Sequence, residues 1–397
     1  MEQTKKMQEF QTPYYVIHKT ELNENYQKLT NALEEYWGNY IVGYSYKTNA
    51  LPWIIKYFDS LGCYAETVSE DEYNLAKLIG VSKRKIIYNG PVKTKDSFFD
   101  ALRNDCIVNI DSNREIEWLD EIENEKRRVG VRINFDIEKM CPGQSQCPEE
   151  GGRFGFCYEN GEFTKAVDVL HKKNVQIIGI HLHTSSKSRG LDIYKAIAQM
   201  AVKVKREFNL ELDYVDIGGG FFGGLPSKPQ FEEYISLMGS ILAEEFDKEK
   251  TKLVIEPGMA VIGAPVSYVT SVIDIKDTNY NRFVITDGTR TSIDPLMTKS
   301  NYFHHLLFEG ERDKHNKQVI CGYTCMEHDR LFEKKDGPTL KVGDQIIYDK
   351  VGAYTMCLTP LFIKYFPDVY VEENGKYKKV REAWKPEQYI MNSIIEG

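Results

Sequence analysis

Several residue groups in the chain are of the types that covalent cofactor chemistry uses. Lys47 follows an apolar run that starts at Tyr40, within Gly43-Tyr44-Ser45-Tyr46-Lys47-Thr48-Asn49-Ala50. A lysine at the mouth of a strand, flanked by aromatics, loses solvation, and a desolvated amine is a nucleophile suited to a Schiff base. His181-Leu182-His183-Thr184-Ser185-Ser186 places imidazoles and hydroxyls at the end of another apolar run. Asp216-Ile217-Gly218-Gly219-Gly220-Phe221 sets three glycines after a third, where bare backbone N–H groups can approach an anion closely. Glu256-Pro257-Gly258 ends a fourth with a carboxylate. Singly, each has an ordinary structural reading: a surface lysine, a packed core histidine, a glycine turn. The glycines do not form the G-x-G-x-x-G of a dinucleotide fold, and no P-loop lysine follows them. Together they supply an amine for an imine, a phosphate cradle, an imidazole (His183) for a flat ring to stack on, and an acid for a ring nitrogen. That combination is a site for pyridoxal phosphate (PLP), whose ring accepts electrons when its nitrogen is kept protonated.

Such residues need a frame that brings distant strand ends together. Strands are predicted at Tyr40–Lys47, Cys63–Thr67, Lys85–Gly90, Cys106–Asp111, Arg128–Asn134, Gln176–Thr184, Leu212–Gly220 and Lys252–Gly258. Most are rich in Val and Ile without clean alternation, as strands buried on both faces should be. Helical patterns lie between them, at Glu70–Leu78, Ser97–Arg103, Glu115–Ile122, Lys165–Lys172, Leu191–Phe208 and Phe231–Phe246. Asp111 and Ser112 stand where an N-cap belongs. The alternation predicts an α/β chain folded as a parallel (β/α)8, TIM-like barrel, whose site would sit at the C-terminal strand ends. A doubly wound open sheet shares the periodicity. The Gly/Pro/Cys-rich stretch Phe135–Cys157 is expected to be a mobile loop over the barrel mouth.

From about Pro265 strands separated by loops take over, at Val266–Val272, Arg282–Thr286, Gln318–Cys321 and Asp344–Tyr348. The expected domains are 1–35 (a strand and a helix, the strand joining the β domain), 36–264 (the barrel) and 265–397 (a mostly β domain). A net charge of −8 argues against a general binder of nucleic acid or anionic membranes, and no stretch approaches the length of a membrane span. Met1-Glu2-Gln3-Thr4-Lys5-Lys6 has no apolar run behind it, so no leader is expected and the reading is cytoplasmic. The eight scattered cysteines are then expected to be reduced. Neither Cys141/Cys147/Cys157 nor Cys321/Cys325/His328/Asp329 has the paired spacing of a structural zinc site, and no metal is expected.

The motifs also carry a family resemblance. Tyr46-Lys47-Thr48-Asn49 is similar to the Y-A-x-K-A-N lysine motif of the fold-type III PLP decarboxylases, which act on diaminopimelate, ornithine and arginine and have an alanine-racemase-like barrel. His183-Thr184-Ser185-Ser186 resembles their H-x-G-S, Asp216–Phe221 matches D-I-G-G-G-F, and Glu256-Pro257-Gly258 resembles E-P-G-R. Ser69-x-x-Glu72 resembles their S-x-x-E, Cys321–Cys325 their G-P-x-C, and Val351-Gly352-Ala353-Tyr354 their G-A-Y. The matches run in the family's order from Thr12 to about Tyr354.

The resemblance implies roles. Lys47 would carry PLP as an imine, His183 would stack on its ring, and Glu256 would pair with the ring nitrogen. Ser186, Gly218, Gly219, Gly220, Gly258 and Tyr354 would hold the phosphate, with Glu66 and Arg132 as further contacts. Cys325 would come from the neighbouring subunit of an obligate homodimer with shared active sites, and would help protonate the carbanion left by CO2. The pattern departs where substrate would be read. The family's arginine after E-P-G is Met259, an R-P element corresponds to Asp294-Pro295, and the acid after the family's cysteine is Met326. Losing guanidinium groups removes the bidentate hold on a distal carboxylate. Asp294, Glu327 and Asp329 could instead hold an amine-bearing end. The expected activity is therefore PLP-dependent decarboxylation of an amino acid or amino-acid conjugate, a small-molecule substrate with such an end. A carboxynorspermidine-type decarboxylase, a racemase or epimerase, and a catalytically silent PLP-binding homologue are the alternatives.

Overall fold

A computed structural model of the chain describes residues 10–394, and the expectation placed on Met1–Lys6 lies outside them. The chain divides into two compact units, residues 25–260 and the described parts of 1–24 and 261–397. It opens with β1 (Tyr14–His18) and α1 (Lys19–Tyr36).

The barrel strands follow as β2 (Tyr40–Ser45), β3 (Tyr64–Ser69), β4 (Ile86–Val92), β5 (Ile107–Ile110) and β6 (Arg128–Asn134). A two-residue strand, β7 (Phe156–Cys157), precedes β8 (Gln176–His181), β9 (Tyr214–Asp216) and β10 (Lys252–Ile255). Hydrogen bonding runs β5-β4-β3-β2-β10-β9-β8-β6, all parallel, and the pairing of β5 with β6 closes the ring; β7 adds to β6 outside it. Closure decides between the two architectures that share the periodicity: among the described residues this is an eight-stranded parallel barrel, not an open sheet.

Its interior is closed by one large side chain. Tyr214 of β9 packs with Ile41, Ile87 and Val254. Its ring fills space that neighbouring strands leave bare: a Cβ on Gly179 would meet the ring at 2.1 Å, and one on Gly130 would meet its hydroxyl at 2.1 Å. The hydroxyl donates to Asn109 Oδ1 (2.7 Å), so the buried polar end is satisfied.

The helices start where their sequences direct. Ser69 accepts from the Glu72 N–H (3.2 Å) while Glu72 Oε2 accepts from the Val68 N–H (2.9 Å), and Gly80, at φ 86°, ends α2 (Glu70–Ile79). Thr94 caps the helix Lys95–Arg103 by accepting from the Ser97 N–H. Asp111 and Ser112 behave differently from expectation. Ser112 sits at the N-cap of Asn113–Trp118 but its hydroxyl makes no cap bond; Glu115 Oε2 instead accepts from the Asp111 N–H (2.8 Å). The Asp111 carboxylate is taken by Arg132 (3.1 Å) and the Gly155 N–H (3.2 Å). The stretch expected to be a mobile loop over the barrel mouth, Phe135–Cys157, contains the one-turn helix Ile137–Met140, capped by Asp136, and β7.

In the other unit β11 (Val266–Asp277), β12 (Arg282–Thr286), β13 (His304–Leu307), β14 (Lys314–Cys321), β15 (Arg330–Pro338), β16 (Gln345–Tyr348), β17 (Asp368–Glu373) and β18 (Lys376–Arg381) join β1 in one mixed sheet. The order is β15-β14-β12-β11-β1-β17-β18, with β16 between β11 and β13. β1 pairs antiparallel with β11 and parallel with β17. The β17–β18 hairpin turns on Asn374 and Gly375, both left-handed.

Candidate functional site

Lys47 lies one step past its predicted place: β2 stops at Ser45, and Tyr46–Thr48 form a single 3-10 turn. Ser45 ties that turn to the end of β10, its N–H donating to Pro257 O (3.2 Å) and its hydroxyl to Glu256 O (3.2 Å). The half-exposed Lys47 amine donates to Glu66 Oε2 at 2.5 Å, and Glu66 is buried at the end of β3.

A chain of amides fixes the acids around it. Asn89 Nδ2 donates both to Glu66 Oε1 (3.1 Å) and to Glu256 Oε1 (2.5 Å). Its Oδ1 accepts from Asn109 Nδ2 (2.8 Å), whose own Oδ1 takes the Tyr214 hydroxyl. Because the ionised Glu256 can only accept, Asn89 must present its amide nitrogen there, which in turn orients Asn109 and leaves Tyr214 as the donor. The side chain that links the lysine's acid to Glu256 is thus oriented by the carboxylates it bridges.

Glu256 and Asp216 are both buried, and they divide one proton between them. Burial and the Glu256 charge push Asp216 well above the usual carboxylate range. Burial acts on Glu256 too, but the His181 imidazole, 3.5 Å from its Oε2, and the Lys47 ammonium outweigh it and hold Glu256 low. The proton therefore resides on Asp216 and the charge on Glu256.

His183 lies beyond the end of β8 rather than inside it. Burial, then the Arg132 and Lys47 charges, push its pKa down to about 3, so the ring is neutral at physiological pH. Its Nδ1 accepts from the Gly219 N–H (3.2 Å), which places the ring proton on Nε2. Arg132 braces the same loop through His183 O (3.4 Å), and its guanidinium stands 4.8 Å from the Phe154 ring.

The glycines are required by space. At Gly218, φ 74°, a Cβ would meet His183 Cβ at 2.5 Å. At Gly219 it would lie 2.1 Å from Glu256 O, and at Gly258 2.0 Å from Thr48 Oγ1. Tyr194 donates to Gly219 O (3.1 Å) and packs with Phe221 and Tyr234, giving the glycine loop an aromatic back wall. Ser186 is buried and accepts from the Arg189 N–H, whereas Ser185 is exposed. Ser186 also pairs with Ser145 across an antiparallel bridge, and Gln146 donates to its carbonyl (3.3 Å). The barrel unit thus brings together Lys47, Glu66, His183, Ser186, Gly218–Gly220, Glu256, Gly258 and Met259.

Tyr354, Asp294 and Cys325–Asp329 lie in the other unit. Tyr354 is partly exposed and left-handed, at φ 56°. Cys325 and Glu327 are exposed, Met326 is half-buried, and Glu327 lies 3.4 Å from Arg330. Asp294 is buried and held by Arg290, Tyr302 and the N–H groups of Thr298 and Lys299. Asp329 is buried too, and accepts from Thr289, Thr324 and the Arg290 N–H. Both carboxylates are committed to shaping their own loops, which departs from the substrate-facing role expected of them.

Reading the sequence passed over Asn89, Asn109, Tyr214, His181 and Asp216. His181 and Asp216 were visible beside residues that were chosen, each at the last position of its strand. Asn89 and Asn109 needed the strand register.

The donor set fits PLP: an amine, an ionised buried carboxylate for a protonated ring nitrogen, a neutral imidazole and a glycine turn closed to any side chain. Comparison with known proteins agrees. The family described as "Pyridoxal-dependent decarboxylase, pyridoxal binding domain" matches residues 19–263, and its "C-terminal sheet domain" matches 259–352. The chain is 26% identical to a diaminopimelate decarboxylase of Aquifex aeolicus, over 94% of this chain and 90% of that protein. It is 28% identical to one from Methanocaldococcus jannaschii, over 87% and 83%. A crystal structure of diaminopimelate decarboxylase from M. jannaschii superposes with a TM-score of 0.85 at 24% identity, covering 99% of this chain and 94% of that one.

Proposed function

We infer, on the premise that this chain belongs to the pyridoxal-dependent decarboxylase family, that it removes CO2 from the Cα of an amino acid or amino-acid conjugate whose distal end bears an amine. One observation carries the chemistry: the Lys47 amine is tied through Glu66 and Asn89 to the buried Glu256, whose carboxyl the His181 imidazole at 3.5 Å helps to hold low. When bound, PLP supplies an electron sink for the pair released as the Cα–carboxylate bond breaks.

The residues of the barrel do the rest. Lys47 is the amine that anchors the cofactor, and Glu66 at 2.5 Å is placed to hold or return its proton. Glu256 keeps a negative charge where a ring nitrogen must stay protonated. The neutral His183 offers an apolar face and cannot compete for that charge. The Gly218 and Gly219 N–H groups are spent on Asp216 Oδ1 (2.8 Å) and His183 Nδ1 (3.2 Å), which shape the turn; the Gly220 N–H, with Ser186 and Gly258, would hold the phosphate, to which Tyr354 would add its hydroxyl.

For the distal end, Met259 in place of an arginine and the exposed Glu327 support an amine, while Asp294 and Asp329 are withdrawn into their loops. Cys325 would protonate the product from a neighbouring subunit. A homodimer is supported by the exposed apolar side chains of Leu358, Phe362, Ile363, Tyr389, Ile390 and Met391. Among the described residues no helix is long and apolar enough to cross a membrane, and the eight free cysteines suit a reducing, cytoplasmic setting.

The test is direct. Borohydride reduction followed by peptide mass mapping should fix the cofactor to Lys47, and CO2 release should appear with basic amino acids or carboxy-polyamines. Cofactor on another residue, or none, overturns the site. Bound PLP with no CO2 from any amino acid overturns the activity.

A further inference from the structure

The loops that follow β8, β9 and β10 converge on one cation. Arg189 ends the first loop. Its Nη1 lies 2.7 Å from the sulfur of Met259, just after β10, and its guanidinium stands 5.4 Å from the ring of Phe222, in the loop after β9. The backbone there is firmly held. The Arg189 N–H donates to Ser186 Oγ (3.1 Å), and the Tyr234 hydroxyl donates to Arg189 O (2.6 Å). Arg189 is also left-handed, at φ 53°, a conformation a non-glycine residue keeps only when its surroundings impose it. Tyr234 packs on Phe221 and on Tyr194, the residue that donates to Gly219 O. Arg189 is therefore fixed to the same frame as Ser186 and the glycine turn.

Its charge is nonetheless unanswered. Among the described residues no carboxylate pairs with this guanidinium; its neighbours are a thioether, which is a weak acceptor, and an aromatic face. A planar fork of N–H donors held half-buried without an acid is suited to an oxyanion from outside the chain.

We propose that Arg189 is an anion-binding residue of this site, its guanidinium taking an oxyanion: the phosphate of the cofactor or a carboxylate of the substrate. The guanidinium absent at Met259 is thereby supplied from another loop, with the methionine as its support. The proposal rests on the PLP reading above. With the phosphate as the anion, the amine-bearing distal end stands; with a substrate carboxylate, that part of the reading reverses.

Apo-protein, Arg189→Met and Arg189→Lys are titrated with PLP and with pyridoxal, which lacks the phosphate, following protein fluorescence; circular dichroism melting confirms that each variant is folded. The expected result is PLP affinity weakened about tenfold or more in Arg189→Met, less in Arg189→Lys, with pyridoxal affinity unchanged in both. In a second arm the protein with PLP reduced onto Lys47 is titrated with glutarate and with 5-aminopentanoate. Unchanged PLP affinity with selective loss of glutarate binding in Arg189→Met assigns the guanidinium to a substrate carboxylate. Variants that match the wild type in both arms overturn the proposal. A wild type that takes up no PLP overturns the cofactor reading, and this proposal with it, and is a separate result.

Discussion

Gly219→Ala isolates what the glycine turn contributes. Its backbone is not in the left-handed region, so the cost is one of space. A Cβ there would sit 2.1 Å from Glu256 O, whereas a relaxed carbon contact lies near ~3.5 Å. The turn and the end of β10 must then part by about 1.4 Å. Such a shift carries the Glu256 N–H away from Gly218 O, now 2.8 Å apart, beyond hydrogen-bond range. Losing that bond with both groups buried costs about 1–3 kcal/mol, and residual crowding adds about 1–3 kcal/mol. The sum, about 2–6 kcal/mol, is a large part of a typical stability of about 5–15 kcal/mol. Gly62→Ala is the control: Gly62 has φ 91° with nothing within 4 Å of a Cβ, so only the left-handed strain applies, about 1–2 kcal/mol. Urea unfolding followed by circular dichroism gives both numbers, and a PLP titration reads the site. Gly219→Ala should be the more destabilised and should lose PLP affinity, while Gly62→Ala keeps it. Equal or smaller destabilisation at Gly219, with PLP affinity intact, would refute the steric reasoning.

Two further outcomes are expected. Burial, reinforced by the Glu66 charge, raises the Glu72 carboxyl from 4.5 to about 7 against the pull of the Val68 N–H; the folded chain then holds a proton the unfolded chain releases, so stability is lost as pH rises through that window. Glu72→Gln should flatten this part of the stability profile and stabilise the protein above pH 7 relative to wild type, and an unaltered slope counts against the assignment. Cys325→Ala should lower turnover on the order of 10²-fold, or alter the protonated product, with PLP affinity nearly unchanged; unaltered kinetics and product remove its role.

The barrel was legible because β2, β8 and β10 carry near-continuous apolar runs, and burial on both faces leaves that mark. The site was legible where chemistry and backbone need coincide. A Lys after a strand, a triple glycine and Glu-Pro-Gly are each local in sequence. Asn89 and Asn109 were not, because one polar residue in an apolar strand gains meaning only from the partner across the barrel. Arg189 was hidden for a related reason: it lies in an irregular loop, and its significance comes from Met259, seventy residues away. Asp294 and Asp329 were visible as acids, but their commitment to backbone N–H groups depends on how each loop closes. In the C-terminal sheet β13, β15, β17 and β18 went unpredicted. The Asn374-Gly375 turn was nonetheless a readable hairpin signal between Val- and Tyr-bearing segments; charged β18 masked it with its lysines.

Tyr214 and the bare backbones of Gly130 and Gly179 have a consequence for inheritance. The ring occupies the volume that side chains at 130 and 179 would fill, so none of the three positions is free to drift alone. Bulk added at 130 or 179 collides with the ring, and bulk lost at 214 leaves a void next to the amides that orient Glu66 and Glu256. Within this lineage the three positions should therefore change together or not at all, and a chain designer who grafts this site onto another barrel must carry all three.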